Sequence, residues 1–124
     1  MNFKNLFLPV VFGIVLLFPA CRNKGLKADA VRIGDAMCRN IEIMNKLRAT
    51  NPADTVTLQK LQSQARELQG EMNTLYQDFG AKYKERTKDP EFSKAFSREL
   101  RKAMLDCPYL SKEDKEQFEK ELKE

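Results

Sequence analysis

The stretch LQKLQSQARELQGEMNTLYQDF, residues 58–79, decides the fold. Its apolar residues Leu58, Leu61, Ala65, Leu68, Met72, Leu75 and Phe79 recur at spacings of 3, 4, 3, 4, 3 and 4. That alternation keeps one stripe on one face of a helix for three heptads, an a/d seam. Gln59, Gln62, Gln64, Arg66, Glu67 and Gln69 occupy polar positions around it. Gly70 lies off the seam and Gly80 directly follows it, each costing about 1 kcal/mol of helix propensity relative to Ala. Tyr83 extends the apolar face by a turn, and the reading runs this helix on to Lys88.

Outward from this helix the pattern remains helical. Upstream, Val31, Gly34, Met37, Cys38, Ile41, Met44 and Leu47 form a stripe beginning from Ala28 and ending near Ala49. Asn51-Pro52 follows, and the residue before a proline disfavours helical geometry. Asn51 then reads as the cap of the heptad helix, with Pro52 at its first position. Downstream, Asp89-Pro90-Glu91 restarts the chain as cap, first helical residue and favourable first-turn charge. Phe92, Phe96, Leu100, Ala103, Met104 and Cys107 supply a buried face, and Pro108 ends it. Ser111 to Asp114 resembles a capping box with Asp in place of Glu, opening a last helix with Phe118 and Leu122 as its apolar stripe. Short connections favour antiparallel neighbours. The expectation is an all-α, up-down bundle of three to four helices over residues 28–124, with the long heptad helix central.

Composition narrows the chemistry. The 124 residues include no His and no Trp, 5 Gly and 3 Cys, with 22 basic and 18 acidic side chains. Absent histidine excludes His-based triads and His-ligated zinc, and scarce glycine argues against phosphate-cradling loops. The hydrophobic fraction is 42%, but 14 of those residues fall within the first 20 positions. Met1 to Asn5 carries one positive charge, and Leu6 to Phe18 is 13 residues without a charge. A helix needs about 20 apolar residues to span a bilayer, so this length suits the apolar core of a secretory signal.

The segment ends Phe18-Pro19-Ala20-Cys21, and here the sequence resembles bacterial lipoproteins, whose signal closes in a lipobox before an acylated Cys. Ala20 and Cys21 match the box; Phe18 replaces the usual Leu and Pro19 the usual small residue, a relaxed form known from spirochaetes and some Bacteroidetes. The resemblance covers 21 residues. It implies removal of residues 1–20, diacylglycerol on the Cys21 thiol, and membrane anchoring through acyl chains such as palmitate. Residues 21–27 then read as a lipidated tether, with Arg22, Lys24 and Lys27 close to the anchor. Arg at position 22, where retention at the inner membrane uses Asp, favours the outer membrane, on its periplasmic or its surface face.

With Cys21 committed to lipid, Cys38 and Cys107 remain as an even pair in an exported chain, where disulfide formation is the default. Helix heights at 1.5 Å per residue place the two about 7 Å apart along the bundle, within reach of tilt. No CxxC occurs, so a redox role has little basis.

Neither a catalytic constellation nor a metal or cofactor site is expected. Serines 63, 93, 97 and 111 have no histidine partner and no G-x-S-x-G context. The feature left over is basic: Lys82, Lys84, Arg86, Lys88, Lys94, Arg98, Arg101 and Lys102 face four acids between residues 82 and 102. It reads either as a solvated helical surface or as a patch for anionic lipid, an acidic polymer or a protein partner. Nucleic acid is not an expected partner for an exported chain. The expected role is a non-enzymatic envelope interaction or structural module; the alternative is a periplasmic or surface binding or inhibitor protein using the patch 82–102.

Overall fold

A computed structural model describes the backbone from Leu8 onward and the side chains from Gly25 to Glu124. The stretch read above as signal segment and lipobox, with Cys21, lies outside the residues whose side chains are described. Four helices follow in chain order: α1 (Leu8–Ala49), α2 (Thr55–Lys82), α3 (Pro90–Leu105) and α4 (Lys112–Lys123). The chain is an all-α bundle with no strand among the described residues. No helix among them is long and apolar enough to cross a membrane.

α1 is the spine. It packs against α2 on one side and α3 on the other, and α4 packs back onto α3. A helix held between two partners needs apolar residues on two faces, so one stripe does not describe it. Leu26, Ala30, Ile33 and Ala36 are buried, whereas Val31, expected in the stripe, is 49% exposed. Gly34 lets α3 approach closely: a Cβ placed there would lie 3.0 Å from Ala103 Cβ. The heptad seam of α2 faces α1 with Leu61 and Leu68 buried and the remaining seam residues half-buried.

Three boundaries differ from expectation. The tether expected at 21–27 is overlapped by α1, and Leu26 is 2% exposed against Tyr83 and Phe92, so the packed domain begins before Ala28. The turn into α2 is longer than expected. Asn51 does not cap the helix; its Oδ1 accepts the Ala53 N–H at 2.9 Å and its carbonyl accepts the Asp54 N–H. Asp54 is the cap, its carboxylate accepting the Thr57 N–H at 3.1 Å. At the other end α2 stops at Lys82 rather than Lys88, because the Tyr83 carbonyl accepts from the Arg86 and Thr87 N–H groups and closes a turn. The six residues lost shorten the helix by about 9 Å, which accounts for the offset in the expected disulfide heights.

α3 and α4 begin as expected. Asp89 accepts the Glu91 N–H at 3.0 Å with Pro90 at the first position. Ser111 Oγ accepts the Asp114 N–H at 3.1 Å while its hydroxyl donates to the Asp114 carboxylate at 2.6 Å. Cys38 on α1 and Cys107 just past α3 are at disulfide distance, Cα–Cα 5.7 Å. The sulfurs join parallel helices separated by 69 residues of sequence.

Candidate functional site

The α2–α3 turn and the start of the described part of α1 meet at one end of the bundle, and the most specific side-chain arrangement is there. Phe79, Tyr83, Phe92 and Phe96 form an aromatic cluster with ring centroids 4.4 to 6.1 Å apart. Leu26 closes this cluster from α1. Packing of this kind fixes Tyr83 rigidly, and its hydroxyl reaches back to α1. Asp29 Oδ2 accepts from Tyr83 OH at 2.6 Å and from Lys82 Nζ at 2.7 Å. Burial acts to raise the Asp29 pKa, but these hydrogen bonds and the charges of Lys82 and Arg32 override it, so the carboxyl ends below its ordinary value. Burial and the bond to Asp29 push the Tyr83 phenol up, and the bond to Asp29 raises the Lys82 ammonium. All three therefore hold fixed protonation states near neutrality. Theirs is a structural lock.

The basic residues divide by this geometry. Lys82 is committed to Asp29, Arg101 pairs with Glu121 of α4 at 2.6 Å, and Lys102 pairs with Glu99 at 3.0 Å. The Arg86 guanidinium stacks 4.6 Å from the Phe92 ring centroid. Lys84 and Lys88 are exposed in the same turn, and neither forms an ion pair among the described residues. Arg98 is exposed along α3, apart from that turn. The structure thus brings Lys82, Lys84, Arg86 and Lys88 together at the bundle end and leaves Arg98, Arg101 and Lys102 as a separate row on α3.

Two clefts lie toward the opposite end. One, of about 340 Å³, is lined by Arg39, Ile43, Gln64, Leu68 and Glu71 among others. Arg39 spans it, donating to Glu71 through two nitrogens at 3.0 and 2.6 Å, with Nε 3.2 Å from Asp35. The hydrogen bonds to Glu71 raise the Arg39 pKa, and Arg39 in turn lowers that of Glu71. The second cleft, of about 450 Å³, lies between Ile41, Met44 and Arg48 of α1 and the Tyr109–Ser111 turn. Both are open; the first has ion-paired walls, and the second sets Ile41, Met44 and Leu110 beside the Ser111–Asp114 cap.

Sequence reasoning missed Asp29 and Leu26. Asp29 is 53 positions from Lys82 and looks like any surface acid in α1; only its placement opposite the end of α2 gives it a role. Leu26 was hidden by the basic residues around it. The chain matches no protein-family model, no curated protein and no solved structure.

Proposed function

We propose that the chain is an exported lipoprotein, anchored through acyl groups on Cys21, that acts as a non-enzymatic interaction or structural module of a bacterial envelope. The observation that carries the reading is the coincidence, within 21 residues, of a basic head, 13 uncharged residues and an Ala-Cys junction. A second observation supports it: the two other cysteines lie at disulfide distance, an arrangement suited to an oxidising compartment. The bundle carries paired charges on its faces, Arg39 with Glu71 and Arg101 with Glu121 among them. Two or three acyl chains hold a protein on a membrane stably, so the module stays at the surface where its partner is met.

The test is chemical. Replacing Cys21→Ala should abolish palmitate incorporation and block removal of residues 1–20. Unchanged labelling in the variant would sink the reading. Cross-linking in intact cells, followed by identification of the captured envelope component, then assigns the partner.

A further inference from the structure

We propose that the bundle end formed by the α2–α3 turn docks on an anionic lipid surface, with Lys84, Arg86 and Lys88 directed at the headgroups. The inference rests on the reading of Cys21 as the lipidated residue and adds an orientation to it. Gly25, the first residue whose side-chain surroundings are described, sits beside this turn: a Cβ there would lie 3.6 Å from both Lys82 Nζ and Tyr83 OH. Cys21 is four residues upstream. Four residues span about 6 Å as helix and at most about 14 Å fully extended. Whatever path they take, an anchor at Cys21 holds Gly25 within that distance of the membrane, and the ends of the Lys82 and Tyr83 side chains beside it. There is no length of chain for the bundle to swing away and present its other end.

The charges agree with that placement. Residues 25–29 and 82–91 hold five basic side chains, Lys27, Lys82, Lys84, Arg86 and Lys88, against Asp29, Glu85, Asp89 and Glu91, a balance of +1, and the sequence places Arg22 and Lys24 between Cys21 and this end. Of the acids, Asp29 is consumed by Lys82 and Tyr83, and Asp89 caps α3. At the opposite end, residues 42–54 and 106–116 hold four basic side chains against six acidic, a balance of −2. The bundle is thus polarised along its length, positive where the anchor emerges and negative where it points away. Anionic lipid attracts basic residues most strongly within about a Debye length of its surface, roughly 8–10 Å, and the short connection keeps this end near that range. The Arg86 guanidinium sits over the Phe92 ring, 4.6 Å from its centroid, which keeps its charge beside the start of α3.

The chain contains no Trp, so one introduced indole is a unique reporter. Thr87 is exposed in the docking turn, and Ala53 is exposed in the α1–α2 turn at the far end. The 24 helical steps of α1 from Gly25 to Ala49 separate the ends by about 36 Å. Thr87→Trp and Ala53→Trp lipoproteins are purified from membranes, their acyl mass is measured, and they are reconstituted in phosphatidylcholine vesicles with or without phosphatidylglycerol. A headgroup spin-labelled lipid serves as quencher. With phosphatidylglycerol present, quenching at position 87 should exceed that at 53 several-fold. The excess should vanish in 1 M salt, where the Debye length is about 3 Å, and in a Lys84→Glu, Arg86→Glu, Lys88→Glu background. Equal quenching at the two positions, or an excess at 87 indifferent to phosphatidylglycerol and salt, in protein that carries the acyl mass, overturns the docking alone. Absence of the acyl mass overturns the anchor and the orientation with it.

Discussion

Replacing Gly34→Ala is the sharpest probe of the packing, because two opposing effects of known size meet at one atom. Glycine inside a helix costs about 1 kcal/mol relative to alanine, so on propensity alone the substitution should stabilise. The structure says otherwise. The new Cβ would sit 3.0 Å from Ala103 Cβ, with Leu100 Cδ1 at 3.6 Å and Met104 Sδ at 3.8 Å. Carbon pairs rest at about 3.5–4.0 Å, so Ala103 and the backbone that carries it must give by a few tenths of an ångström. Ala103 has no rotamer to absorb the shift; its Cβ moves only with the backbone. Overpacking of this kind costs about 1–3 kcal/mol, which cancels or outweighs the propensity gain.

Gly70→Ala supplies the control. Nothing lies within 4 Å of a Cβ at that position, so the full gain of about 1 kcal/mol should appear there. The two variants should therefore differ by about 1–3 kcal/mol in urea or thermal unfolding of the oxidised chain. One kcal/mol corresponds to about 4–8 °C in Tm for a domain of this size. Restoring space with Ala103→Gly in the Gly34→Ala background should recover part of the loss beyond the sum of the single changes, a coupling expected for touching residues. If Gly34→Ala raises Tm as much as Gly70→Ala, then α1 and α3 are not in close contact and the described interface is wrong.

Three further perturbations test other parts of the structure. Cys38→Ser with Cys107→Ser should lower stability by about 2–5 kcal/mol, read as a shift in the urea midpoint, since the bond closes 69 residues of sequence; an unchanged midpoint under oxidising conditions would refute the pairing. Asp29→Asn should cost about 1–2 kcal/mol, a charge-assisted hydrogen bond discounted for the half-exposed Lys82. It should also flatten the acid limb of the stability profile. Asp29 is held below its ordinary pKa, so its contribution is present above the unfolded-state value and disappears as pH falls through the lowered one. Tyr83, pushed up, behaves oppositely: its contribution is full below the ordinary phenol value and is lost as pH rises through the raised one. An acid limb identical in Asp29→Asn and the parent removes the lock. Phe92→Ala should cost about 3–5 kcal/mol, because it opens the cluster that holds Leu26 and Tyr83; a loss below 1 kcal/mol would mean that this end is not packed.

The helices, their count and most of their caps were legible in the sequence for a definite reason. Leu58 to Phe79 repeats at one period on one face, and Asp89-Pro90-Glu91 and Ser111 to Asp114 are local hydrogen-bond devices complete within four residues. What was not legible was non-local. A helix with two partners divides its apolar residues between two faces, so Ala30 and Ala36 are buried although the stripe through Gly34 passes them by. The end of α2 escaped for the same reason: residues 83–88 have ordinary helix propensity, and it is the burial of Tyr83 against Leu26 and Phe92 that turns the chain there.

That local failure of propensity is where the physical interest lies. Had α2 continued to Lys88, Lys84 and Lys88 would lie along its flank beside Gly80 and Ala81, one helical turn apart and pointing sideways. Ending the helix at Lys82 spends about 9 Å of height and gathers Lys84, Arg86 and Lys88 across the end of the bundle instead. The same turn aims the Tyr83 hydroxyl and the Lys82 ammonium at one carboxylate on α1, four residues past Gly25. Position 29 therefore decides two things together: whether the end of the bundle is rigid, and whether Lys82 adds its charge to the turn or loses it to a partner. Asp29→Asn separates them. It should soften the turn while releasing the Lys82 charge, so if electrostatics governs attraction to an anionic surface, the variant should be less stable yet attracted more strongly. A variant that is both less stable and less attracted would show that the order of the turn, and not its net charge, controls the contact.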